Sequence, residues 1–144
     1  MTVTESLWKG TIAGQPAVGA EARRSRTTTM RDVEMFTEMT GDRNPIHYDA
    51  ELATRSGFGG LIVQGGVTTG LLNAVVAEDL PGPGTVFLET NWKFVKAVRV
   101  GETITASVKV AHVHDLDGRG DRLADADGLH ELPVRLEKDG PGTG

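Results

Sequence analysis

An aspartate and a histidine stand five residues apart in Gly41-Asp42-Arg43-Asn44-Pro45-Ile46-His47, with a proline between them. A carboxylate and an imidazole converging on one small molecule are equipped for general acid/base chemistry on water. A continuous helix would not bring them together, because five residues turn through about 500° and send the two side chains to different faces. The residues between them exclude such a helix: Gly41 is a helix-stop residue, and Pro45 drives Asn44 out of the α region. The segment is therefore expected to be a curled loop after a helix. Asp42 and His47 can then meet, and Asn44 holds either the loop or the water. Asp, Asn and Pro are also ordinary turn residues, and the spacing taken alone favours a turn that carries no chemistry.

The elements that would position this loop are legible on both sides. Ser25 to Thr29 reads as a short β segment running into a helix start, with Thr28 or Thr29 as N-cap and Asp32 and Glu34 near the first turn. Val33, Phe36 and Met39 form an apolar stripe at helical spacing, and Gly41 closes the helix. Asp49 can cap a second, short helix through Arg55. The apolar run Leu61-Ile62-Val63 leads into Gln64-Gly65-Gly66 and a third helix. Its seam is Val67, Leu71, Leu72, Val75 and Val76; Gly70, Ala74 and Ala77 keep it thin, and Pro81-Gly82-Pro83-Gly84 stops it. Gly65 and Gly66 at the start of this helix offer unsatisfied backbone N–H groups to a developing oxyanion, Gly65 foremost; a packing role for the pair is the alternative.

Two strands are expected next. Val86, Leu88, Thr90, Trp92 and Phe94 share one face, and after the Val100-Gly101-Glu102 turn Ile104, Ala106, Val108 and Val110 share another. Helices followed by antiparallel strands indicate an α+β fold with helices packed on one sheet face. Residues 1–20 read as an irregular arm or a short edge strand. Beyond His114 the pattern decays into a stretch rich in Asp and Gly, where Arg119 and Arg122 are expected to be the first sites cut by trypsin. Only Leu132, Val134 and Leu136 alternate there, and Pro133 confines that run to a sheet edge.

At 144 residues the chain is expected to be one domain with a real core. Its net charge of −5 gives no electrostatic case for nucleic acid. The absence of cysteine removes disulfides, thiol nucleophiles and thiolate metal sites. No apolar run approaches the ~18 residues of a membrane span and no leader-like segment opens the chain, so a soluble, cytoplasmic protein is expected. His112 and His114 lie at strand spacing without partner ligands, and no metal is expected. Arg43, Lys93, Lys96 and Arg99 are candidates for meeting phosphates, with a solvated surface as the simpler reading.

The stretch Phe36-Thr37-Glu38-Met39-Thr40-Gly41-Asp42-Arg43-Asn44-Pro45-Ile46-His47, followed by Ala53, resembles the signature of the MaoC-like, or hydratase 2, family. Gly57-Phe58-Gly59-Gly60-Leu61-Ile62-Val63-Gln64-Gly65-Gly66 is similar to that family's second block. The resemblance implies a hot-dog fold, a curved antiparallel sheet wrapped around a central helix. It implies (R)-specific hydration of 2-enoyl-CoA thioesters or the reverse dehydration, with Asp42 and His47 catalytic and Asn44 supporting. The CoA thioester is the substrate and no separate cofactor is needed. It further implies a homodimer joined edge to edge. A 3-hydroxyacyl dehydratase acting on acyl-carrier protein and a non-catalytic acyl-CoA-binding module are the alternatives, and a thioesterase is disfavoured by the Asp-x-Asn-Pro-x-His pattern. Family members often carry Met where this chain has Gly66, which implies a more open acyl pocket or a more flexible loop here. The family's two further apolar strands are not evident after His114.

Overall fold

A computed structural model describes residues 12 and 14–113, together with the backbone of Val134–Lys138. Strand β1, Glu21–Thr27, is followed by helix α1, Met30–Thr40, a 3-10 turn at Pro45–His47, helix α2, Ala50–Arg55, and helix α3, Gly65–Ala74. Strands β2, Thr103–Lys109, and β3, Val134–Lys138, complete the order. Among the described residues these three strands form one antiparallel sheet in the order β1-β2-β3. Glu21 pairs with Lys109 and Thr27 with Thr103, while Val108 pairs with Val134 and Ile104 with Lys138.

Helix α1 starts and stops where its sequence dictates. Thr29 accepts a hydrogen bond from the Asp32 N–H, and the Asp32 carboxylate accepts one from the Thr29 N–H, so the capping residues satisfy each other reciprocally. Burial pushes the Asp32 carboxyl up, but the Arg26 guanidinium and the Thr29 donors outweigh it and hold it below the usual carboxylate range. At the other end Gly41 takes φ 81°, a left-handed cap that only glycine adopts without cost, and its N–H reaches the Thr37 carbonyl at 2.7 Å. Asp49 caps α2 by accepting from the Leu52 N–H at 3.0 Å.

The core lies between α3 and the sheet. Leu72, Val75 and Val76 pack on Ala106 and Val108, with Ala22 of β1 and Leu71 at the margin. Ile104, Ala106, Val108 and Val110 are all buried, as the alternation along β2 requires. Each large aliphatic side chain so buried contributes about 1.5–3 kcal/mol. Past Ala74 the helix widens into a π-type turn, Val75–Asp79, so that Val75 and Val76 both stay in the core.

Two expectations fail. The alternating segment 86–94 is not a strand: Phe94 is 63 % exposed and Val95 80 %, and Val86, Phe87, Leu88 and Trp92 are exposed as well. Alternation marks a strand only where a partner supplies the ladder. Here the pairing with the 61–63 run begins only at Val98, with Val63 N–H to Val98 carbonyl and Val100 N–H to Leu61 carbonyl, both at 2.9 Å. The stripe on α1 is also shorter than expected. Val33 is buried and Phe36 half-buried, but Met39 is 75 % exposed. At the C-terminal side the alternating Val134–Leu136 run does form a strand, β3, which lies at the edge of the sheet among the described residues. The Asp- and Gly-rich stretch with Arg119 and Arg122, and His114 and Pro133 with it, lies outside the described residues.

Candidate active site

The loop between α1 and α2 curls as its glycine and proline require. Asn44 sits at φ −54°, ψ 126°, outside the α region as the residue before proline must be, and its Oδ1 accepts from the Ile46 N–H at 3.2 Å. That cap opens the 3-10 turn which swings His47 back toward Asp42. The Asn44 N–H in turn donates to Asp42 Oδ1 at 3.0 Å. Both of these hydrogen bonds of Asn44 tie the loop to itself.

Asp42 Oδ2 and His47 Nε2 come to 3.8 Å of each other. The histidine is buried, 7 % exposed, while the carboxylate remains half-open to solvent. His47 Nδ1 lies 2.7 Å from the Ile62 carbonyl oxygen, which can only accept. Nδ1 therefore carries a proton, and Nε2 is the ring atom that faces the carboxylate. At 3.8 Å the two groups are too far apart for a direct hydrogen bond.

Helix α3 begins at Gly65, with Gln64 as N-cap. Gly65 and Gly66 thus occupy its first two positions, where the N–H groups have no intrahelical acceptor. The Ile62 carbonyl that holds His47 lies three residues before Gly65, so one short run of chain serves both features. The space beside the glycines is filled, however. A Cβ on Gly65 would meet the Phe94 ring at 2.7 Å, and one on Gly66 would meet the Phe36 ring at 2.1 Å. At Gly66 itself the aromatic ring of Phe36 takes the room that a side chain would have used. Gly66→Ala is accordingly expected to lower stability, since overpacking at about 1–3 kcal/mol exceeds the gain of at most about 1 kcal/mol from replacing a helical glycine. In a Phe36→Ala background the same change should raise stability. Urea denaturation of the four proteins measures both signs, and a Gly66→Ala protein as stable as wild type with Phe36 present contradicts the packing.

Several residues around the pair carry no signal of their own in the sequence. The Thr37 hydroxyl donates to the Asp42 carbonyl at 2.7 Å and is bonded to the Tyr48 hydroxyl. Gln64 Nε2 reaches the Val33 carbonyl at 3.2 Å and Thr37 Oγ1 at 3.3 Å, and its Oε1 is a buried acceptor without a partner among the described residues. Only Gln64, directly before the paired glycines, was open to detection by position. Arg43 borders a shallow open depression with Pro45, Tyr48 and Asp49. Arg99 lies over the Gly59-Gly60 turn and 3.8 Å from Glu102, while Lys93 and Lys96 are exposed. Among the described residues no group of three or more His, Asp and Glu is arranged to hold a metal, and no helix is long and apolar enough to cross a membrane.

The family model described as MaoC-like domain matches residues 12–126. The chain belongs to the MaoC-like family. It is 35 % identical over 133 residues to a 3-hydroxybutyryl-CoA dehydratase of Methylorubrum extorquens, covering 85 % of this chain and 84 % of the relative. Among solved structures it is similar to the (R)-hydratase of Aeromonas caviae, with TM-score 0.67 and 31 % identity over 70 % of this chain and 76 % of that one. An unliganded R-hydratase from Pseudomonas aeruginosa superposes with TM-score 0.63 at 33 % identity; the match covers 67 % of this chain and 63 % of that chain, slightly less than two thirds of its length. The MaoC-like chain thus has the hot-dog fold that the signature implied, with α3 as the helix against the sheet.

Proposed function

We propose that this MaoC-like chain hydrates 2-enoyl-CoA thioesters to (R)-3-hydroxyacyl-CoA and catalyses the reverse dehydration. The observation that carries the reading is the buried imidazole of His47, its tautomer fixed by Ile62, facing the Asp42 carboxylate at 3.8 Å. Its family and the hydratase and dehydratase names of its relatives support it. A water held by the pair attacks C3, one O–H bond breaks, and the released proton passes to the pair. The electrons of the double bond move onto C2 and the thioester oxygen, where the Gly65 N–H at the start of α3 receives the charge. The proton held by the pair then goes to C2 on the same face, which closes the cycle with no cofactor consumed. Loss of enoyl absorbance on crotonyl-CoA tests the proposal; a folded protein that leaves crotonyl-CoA and longer enoyl thioesters unchanged refutes it. Relatives named 3-hydroxyacyl-[acyl-carrier-protein] dehydratase, at 27–28 % identity, favour a carrier-protein thioester as the second reading.

We further propose that the protein works as a homodimer. Val86, Phe87, Leu88, Trp92, Phe94 and Val95 are exposed along one continuous segment, an apolar surface among the described residues. A second copy covering it removes that surface from water and gives the alternating segment a partner. Light scattering at micromolar concentration should give twice the chain mass, and a stable monomer contradicts the dimer.

A further inference from the structure

Thr37 and Tyr48 belong to no catalytic pattern, yet together they hold the backbone of Asp42. We propose that Thr37 is a positioning residue for the hydration reaction, its hydroxyl fixing the Asp42 carbonyl and so the carboxylate opposite His47, with Tyr48 and Gln64 fixing the hydroxyl. The inference rests on the assignment of Asp42 and His47 made above. A threonine hydroxyl has one proton and two lone pairs. The Asp42 carbonyl 2.7 Å away can only accept, so the proton goes there. Both other contacts must therefore be donors: the Tyr48 O–H, and Gln64 Nε2, whose amide is oriented by the accept-only Val33 carbonyl. The hydroxyl is thus saturated and has one orientation. It is also only 3 % exposed, so water does not compete for it.

The same residue grips the turn twice. The Thr37 carbonyl accepts the Gly41 N–H at 2.7 Å, and its hydroxyl reaches Asp42 one residue further on. Thr40 completes the clamp, accepting from the Asp42 N–H at 3.2 Å while its own hydroxyl donates to the Phe36 carbonyl at 2.7 Å. The carboxylate needs this support because it is half-open to solvent and its turn is otherwise tied mainly through Asn44. Displacement of a reacting group by about 1 Å costs up to about 10²-fold in rate.

The test compares Thr37→Val, Thr37→Ser and Tyr48→Phe with wild type in crotonyl-CoA hydration, rates being normalised to the folded fraction by near-UV circular dichroism. Thr37→Val keeps the shape and removes the hydroxyl; kcat should fall about 10–100-fold with KM changed less than about threefold. Thr37→Ser should restore kcat to within about threefold of wild type, since it returns the hydroxyl. Tyr48→Phe, at a partly exposed ring, should lower kcat about 3–10-fold with the thermal midpoint nearly unchanged. If Thr37→Val fails to fold, the Tyr48→Phe rate decides alone. A Thr37→Val or Tyr48→Phe enzyme with wild-type kcat overturns the positioning role while leaving Asp42 and His47 in place. A wild-type protein that hydrates no enoyl thioester overturns both.

Discussion

Asp42→Asn is expected to abolish hydration of crotonyl-CoA while the protein remains folded. The amide is nearly isosteric with the carboxylate. Its carbonyl oxygen can still accept the Asn44 N–H that now goes to Oδ1 at 3.0 Å, so the loop keeps its shape. What is lost is the charge and the basicity facing the water. Removal of a positioned acid or base costs roughly 10²–10⁴-fold in rate. Because the Asp42 side chain is half-open to solvent rather than part of the core, the thermal midpoint should move little. Steady-state kinetics of the purified variant against wild type measures the loss. A kcat near that of wild type would remove Asp42 from the chemistry.

His47→Ala should lose a similar factor, with a different signature in stability. The imidazole is buried and its Nδ1–H occupies the Ile62 carbonyl, so truncation leaves a small void and an unfilled acceptor. The lost hydrogen bond alone is worth about 0.5–1.5 kcal/mol. Rate and stability should therefore both fall, whereas in Asp42→Asn the rate falls alone. The double variant separates the roles further. If the two groups act on one water as a unit, combining the substitutions costs little beyond the worse single change, whereas independent groups would multiply their losses. A His47→Ala protein that is less stable yet fully active would assign the histidine to the framework only.

Much of this molecule follows from local rules. Thr29, Gly41 and Asp49 bound their helices where they do because a side-chain acceptor satisfies first-turn N–H groups and glycine alone enters the left-handed region freely. The curl that joins Asp42 to His47 is equally local: a glycine, a proline and an Asx turn act within seven residues, which is why the pair was legible before any fold was known. The alternation of Ile104, Ala106, Val108 and Val110 placed β2 for the same reason, since its inward face is set by its own period.

What the tertiary structure decided are the features that need a partner distant in the chain. The 86–94 segment alternates like a strand but forms none among the described residues, because a ladder requires a neighbouring chain and the run at 61–63 meets it only from Val98 onward. Gly66 suggested open space, and only the approach of α1 to α3 showed the Phe36 ring filling it. Thr37 carries no signal in its own neighbourhood; its role is created by Tyr48 from eleven residues away and by Gln64 from twenty-seven. Backbone caps and turns are fixed by the residues that make them, whereas ladders, filled spaces and shared hydroxyls exist only when distant segments meet.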